Sequence, residues 1–144
     1  MRRVVVDTSV WIDHFRRRNP ALLALLEADV VLAHPMIIGE LRCGSLPQPR
    51  GNALSTLDEL DQSAPVSVNE VIRLIEDEEI FGKGCGLVDM SLLMSTLKTP
   101  GARLWASDKS LAAVARQLGI AHEVPPARTD RTSQGELTAA CPTA

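Results

Sequence analysis

Four carboxylates stand where this sequence could do chemistry: Asp7, Glu40, Asp89 and Asp108. Asp7 closes the run Val4-Val5-Val6 and is followed by the hydroxyl residues Thr8 and Ser9. Three consecutive β-branched residues read as a short strand buried on both faces, so Asp7 should leave the carboxyl end of a central strand, where ligands bind in open α/β sheets. Asp108 follows a second strand candidate, Arg103 to Ala106, in the same manner. Asp89 stands at the start of an apolar helix, Met90 to Leu97, and Glu40 is the one acid of a helix from Met36 to Cys43, at the edge of its apolar face.

Taken singly, each acid has an ordinary reading. Asp89 and Asp108 are suitable helix N-caps, Asp7 suits the amides of a turn, and Glu40 suits a solvated helix position. Taken together they point elsewhere, because parallel strands bring their carboxyl ends to one edge of the sheet. Carboxylates that converge without basic partners repel one another, and a divalent cation relieves the repulsion while keeping the acids ionised. All-oxygen donors favour Mg²⁺ or Mn²⁺. Such a centre suits the hydrolysis of a phosphodiester, with the positive ends of the helices behind Asp89 and Asp108 favouring both carboxylates and phosphates.

The elements that must position these acids alternate between strand and helix patterns. After the first strand, Ser9 caps an expected helix over Val10 to Arg17, and Asn19-Pro20 opens another over Ala21 to Glu27. Asp29 ends that helix before a second buried strand, Val30 to Leu32. Pro35 opens the helix that carries Glu40, with Gly44 closing it. A helix over Asn52 to Leu60 follows the Pro47-Gln48-Pro49 turn, and Val66-Ser67-Val68 reads as a third strand or an extended link. Asn69 then caps a helix through Glu79, terminated by the glycine-rich stretch 81–86. Beyond Asp108, Lys109 to Leu118 is helical up to Gly119, and Ile120 to Val124 adds a candidate edge strand. This succession predicts an α/β domain with a mainly parallel sheet, spanning residues 1–124. From Pro125 to Ala144 the only large aliphatic residue is Leu137, so this stretch is expected to be a polar, mobile tail.

Bulk properties narrow the function. The 144 residues suit one domain, 45% hydrophobic and 23% charged, with no apolar run approaching the ~20 residues of a membrane span. The Met1-Arg2-Arg3 start is not followed by a signal-peptide pattern, so a cytoplasmic protein is expected. Cys43, Cys85 and Cys141 are too scattered for a disulfide framework or a metal motif and read as reduced thiols, while His14, His34 and His122 lack zinc-ligand spacing. The net charge of -3 argues against a protein that coats nucleic acid but not against a nuclease, whose acids pull the total down. With 3% aromatic residues, RNA contact through base stacking is not expected, and contact should fall on backbone and shape.

The order Asp7-Thr8-Ser9 after a valine strand, Glu40 in a helix, Asp89 before an apolar helix, and Ser107-Asp108-Lys109-x-Leu111 before an alanine-rich helix resembles the PIN domain, and within it the VapC ribonuclease toxins of type II toxin-antitoxin systems. The similarity runs from residue 3 to about residue 124. It implies a three-layer α/β/α homodimer that cleaves RNA, structured RNA such as tRNA or rRNA, with Mg²⁺ or Mn²⁺, and that a VapB-like antitoxin neutralises. By the same resemblance, Asp7 and Asp89 are the principal metal ligands, Asp108 is a further ligand or water-mediated partner, Glu40 positions the attacking water, and Thr8 and Ser9 steady the first acid. The family often has Thr where this chain has Ala106.

Other readings have less in the sequence. A D-x-D phosphatase would need an acid where Ser9 stands, and a receiver domain would need paired acids at the first strand. A PIN-like module that binds RNA or protein without cutting would not need all four acids. Arg16-Arg17-Arg18 reads as a solvated helix end, with phosphate contact the alternative, and the acidic run 76–79 as a solvated face. Lys83, between Gly82 and Gly84, lacks the spacing and following hydroxyl of a phosphate-binding P-loop.

Overall fold

A computed structural model describes residues 2–124. The valine run forms β1 (Arg3–Val6), whose valines are at most 1% exposed, so both faces of the strand are covered. It pairs in parallel with β2 (Val31–Ala33) on one side and with β4 (Ala102–Trp105) on the other, and β3 (Asp61–Gln62) completes a parallel sheet in the order β3-β2-β1-β4. Each fully buried aliphatic side chain in this core contributes roughly 1.5–3 kcal/mol.

Helices α1 (Thr8–Arg16) and α2 (Pro20–Glu27) join β1 to β2, and α3 (Pro35–Cys43) and α4 (Arg50–Asp58) join β2 to β3. Helices α5 (Val68–Asp77) and α6 (Leu87–Lys98) carry the chain back across to β4, and α7 (Lys109–Gln117) follows it. Right-handed crossovers put connections that run in opposite directions along the sheet on opposite faces. Helices α1 to α4 therefore lie on one face and α5 to α7 on the other, in keeping with the packing of α1 on α3, α3 on α4, α5 on α6, and of α6 and α7 on β4. The α/β fold with a parallel central sheet is the expected one. The direction of winding reverses between β1 and β4, which makes the gap between their carboxyl ends the crevice where such sheets bind ligands.

Several local expectations are corrected. The cap of α1 is Asp7, not Ser9: its carboxylate accepts the Ser9 N–H, and the helix starts at Thr8. The third strand is Asp61–Gln62 rather than 66–68; it is polar and exposed, so no apolar run marks it. Within 66–68, Ser67 is the cap of α5, with its hydroxyl on the Glu70 N–H and the Glu70 carboxylate on its own N–H, a reciprocal pair that a cap at Asn69 would lack. Helix α6 begins at Leu87, which puts Asp89 inside its first turn instead of ahead of it. The expected edge strand at 120–124 is a single bridge, Ala121 beside Leu104. The expected tail from Pro125 and Cys141 lie outside the described residues.

Buried hydroxyls on α6 are satisfied by contacts that serve the fold. The Ser95 hydroxyl bonds Ser63 and the Ala64 carbonyl, and Thr99 accepts the Ala64 N–H at 2.9 Å, which moors α6 to the link after β3. Among the described residues no helix is long and apolar enough to cross a membrane.

The helix that carries Glu40 depends on a neutral imidazole. His34, 5% exposed, caps α3 by accepting the Met36 N–H on Nδ1 at 3.1 Å, and burial holds its pKa below the usual 6.5. The unfolded chain therefore binds a proton that the folded one resists, and His34's contribution is fully present above about pH 6.5 and lost as pH falls through its lowered folded value. Thermal unfolding at pH 7.5 and 5.5 should show a lower Tm at the acid pH. The drop should shrink in His34→Asn, which keeps a cap acceptor that does not titrate; an equal drop in both proteins would exclude this role.

Candidate active site at the switch crevice

The four acids come from both sides of the sheet reversal. Asp7 leaves β1 and Asp108 follows β4 by three residues, and the Asp7 N–H donates to the Trp105 carbonyl at 2.9 Å, which holds the two strand ends together. Asp7 is 5% exposed; its Oδ2 accepts from the Ser9 N–H at 3.2 Å and from the Ser9 hydroxyl at 2.7 Å. The same hydroxyl accepts the Ser107 N–H at 3.1 Å. Ser9 thus bridges the first acid to the turn that presents the fourth, a contact made although Ala106 offers no hydroxyl.

Asp108 caps α7, with Oδ2 on the Leu111 N–H at 2.9 Å, and Asp89 Oδ2 accepts the Gly86 N–H at 3.3 Å at the start of α6. In all three aspartates Oδ2 is committed to a helix-terminal amide, while Oδ1 has no hydrogen bond among the described residues. Glu40 stands at the exposed rim, where the Thr8 hydroxyl donates to its Oε1 at 2.7 Å. Expected as steadying partners of Asp7, the two hydroxyls divide the work: Ser9 serves Asp7 and Thr8 serves Glu40.

Electrostatics tie the four together. Asp89 is pushed above the ordinary carboxylate range first by burial and then by the negative charges of Asp7, Asp108 and Glu40, against the opposing Gly86 N–H. Burial and the charges of Asp89, Asp108 and Asp7 push the Cys85 thiol up to about 11. Cys85 therefore stays a neutral thiol beside the acids, a neighbour that the sequence marks only as a scattered cysteine. The three salt bridges among the described residues, Arg42–Asp58, Lys98–Glu70 and Arg116–Glu123, all lie outside this group.

This donor set fits a hard divalent cation: carboxylate oxygens with no cationic partner among the described residues, one of them, Asp89, held above its ordinary pKa by burial and then by the charges of the other three. No three His, Cys, Asp or Glu side chains among the described residues already close on one point, so holding an ion calls for side-chain rotation. The free Oδ1 atoms are the ones available to turn.

A glycine fixes the loop between α5 and α6. Gly84 adopts φ +85°, and a Cβ there would come within 2.9 Å of Ser110 Oγ, so the loop sits directly on the first turn of α7. Asp89 and Asp108 are held near one another by that contact. A groove of about 460 Å³ runs from Glu40 between α1 and α3, walled by Ile12, Phe15, Leu41, Leu46 and Pro47, with Arg16 on its edge.

Because Asp89 is raised in the folded state, its charge costs stability at neutral pH: the stability it contributes is present below the unfolded carboxylate pKa and is lost as pH rises through the folded value. Asp89→Asn keeps an acceptor for the Gly86 N–H and removes the charge. In chelator at pH 7 it should raise Tm by a few degrees, whereas an unchanged or lower Tm would show that burial and the neighbouring acids do not make the Asp89 charge costly.

No family model matches the chain. It is 42% identical over 118 residues to Ribonuclease VapC32 of Mycobacterium tuberculosis, in both strain CDC 1551 and strain H37Rv, an alignment that covers 82% of this chain and 94% of each relative. Identity at this level over nearly the whole relative, on a parallel α/β sheet with four acids about its switch crevice, establishes that the chain belongs to the VapC family of PIN-domain ribonuclease toxins.

Proposed function

We propose that this protein is a divalent-metal-dependent endoribonuclease, the toxin of a type II toxin-antitoxin pair, acting in the cytoplasm on structured RNA such as tRNA or rRNA. The observation that carries the reading is that Asp7, Glu40 and Asp108 all bear, after burial, on the raised Asp89, and that the four acids have no cationic partner among the described residues. Asp7, Asp89 and Asp108 would hold Mg²⁺ or Mn²⁺, which when bound would supply positive charge to offset that of the acids and the phosphodiester and would activate water.

The side chains supply the remainder. Thr8 holds Glu40 Oε1, which leaves Oε2 to orient the attacking water and accept its proton. Attack forms a new P–O bond and breaks the ester bond to the leaving oxygen, which takes up a proton to become a hydroxyl. Ser9 keeps Asp7 and the Ser107-Asp108 turn in register throughout.

The partner of this toxin is a VapB-like antitoxin, and the apolar groove that ends at Glu40 is the place for it, since a segment lying there blocks that acid's access to water. The protein acts as a homodimer; Val68 and Ile72, one helical turn apart and exposed on α5, supply an apolar stripe for a second copy.

Purified protein freed of any inhibitor should cleave RNA with Mg²⁺ or Mn²⁺ and stop in excess EDTA. Asp7→Asn should lower the rate by at least about 100-fold. Cleavage that survives both treatments would rule out the metal mechanism. Ile12→Glu, in the groove wall, should leave cleavage intact and weaken inhibition by the product of an adjacent short reading frame; full inhibition of that variant would place the antitoxin elsewhere.

A further inference from the structure

The chain has three lysines, and their placement is uneven. Lys98 is paired with Glu70 at 2.8 Å and also donates to the Pro65 carbonyl, on the α5–α6 side of the molecule. Lys83 and Lys109 have no ion-pair partner among the described residues, and both line one depression of about 390 Å³ along α7, together with Ser110, Ala113, Val114 and Gln117. Lys109 directly follows Asp108, and Lys83 belongs to the loop that leads to Asp89.

From this arrangement we propose that Lys83 and Lys109 form a phosphate-binding subsite that seats the RNA backbone on the α7 side of the acid crevice. The proposal rests on the ribonuclease reading and adds to it the residues that hold the polyanion beside a negative site. Gly84 makes the subsite possible: only a residue without a side chain lets the loop lie on Ser110, and that contact brings Lys83 alongside Lys109. The Ser110 hydroxyl, which makes no hydrogen bond among the described residues, is a third donor in the same depression. Its floor of Ala113 and Val114 offers no aromatic platform, so the recognition is of phosphate rather than of base. Lys83 is thereby explained without a P-loop.

Both lysines are positioning residues, and the test reads RNA binding apart from catalysis. In an Asp7→Asn background, the affinity for a labelled single-stranded RNA is measured across a range of salt concentrations. Removing one lysine–phosphate interaction should flatten the plot of log affinity against log salt by about 0.7, so Lys83→Ala combined with Lys109→Ala should flatten it by about 1.4 and weaken binding at every salt concentration. Lys98→Ala should change neither. In the otherwise native protein the double variant should raise KM and leave kcat in place. An unchanged slope in the double variant, with the parent still binding RNA, overturns the subsite alone; a parent that neither binds nor cleaves RNA overturns the ribonuclease reading and the subsite with it.

Discussion

Like charges at one sheet edge set the terms for the rest of this molecule. Two unit charges about 4 Å apart repel by roughly 1 kcal/mol in water and by several times that at the lower effective dielectric of a protein surface. A fold that gathers Asp7, Asp89, Asp108 and Glu40 must hold them by some means other than counter-charge if the site is to stay open to a cation. Here the means is neutral donors: the amides of Ser9, Gly86 and Leu111 and the hydroxyls of Ser9 and Thr8. Helix-terminal amides also present a partial positive charge without occupying the crevice as an arginine would. Burial first, and then the three neighbouring charges, still hold the pKa of Asp89 above the ordinary carboxylate range in spite of the Gly86 amide.

That solution depends on the sheet reversal between β1 and β4. Because the connections after these strands depart to opposite faces, Asp7 and Asp108 stand at a gap rather than under a helix, and Ser9 can span it. The second contact across the site is the seating of Gly84 on Ser110, which ties the start of α6 to that of α7. One contact registers Asp7 with Asp108 and the other Asp89 with Asp108, so Asp108 is the acid to which two independent ties lead.

The parts of the structure legible in the sequence were those in which a residue's type has one physical use. A triple-valine run has little use outside a covered strand, and β1 lies where that run predicts. Strand β3 was invisible because an exposed two-residue edge strand needs no apolar side chain, only backbone pairing with β2. Caps were ambiguous for a different reason: Asp7 and Ser9, or Ser67 and Asn69, are all competent, and tertiary contacts decide between them. The acids themselves were legible as candidates, but their division of labour was not. That Thr8 serves Glu40 depends on how α1 lies against α3, and the exposure of Cys85 to three negative charges on where the glycine loop is seated; neither is a property of local sequence.

A chain of net charge -3 with an acidic crevice has to approach a polyanion whose charge it shares in sign. Screening reduces the difficulty without removing it, since at physiological salt charges interact over only about 8 Å. Basic groups on the far side of the domain therefore do little for a phosphate entering the crevice, and what matters is which cations border it. On one border Arg16 shares a groove with Glu40 and adjoins Arg17 and Arg18 around a second depression; on the other, Lys83 and Lys109 share the surface of α7. Cations stand at the margins, and among the described residues none pairs with the four acids, so positive charge borders the crevice without neutralising it.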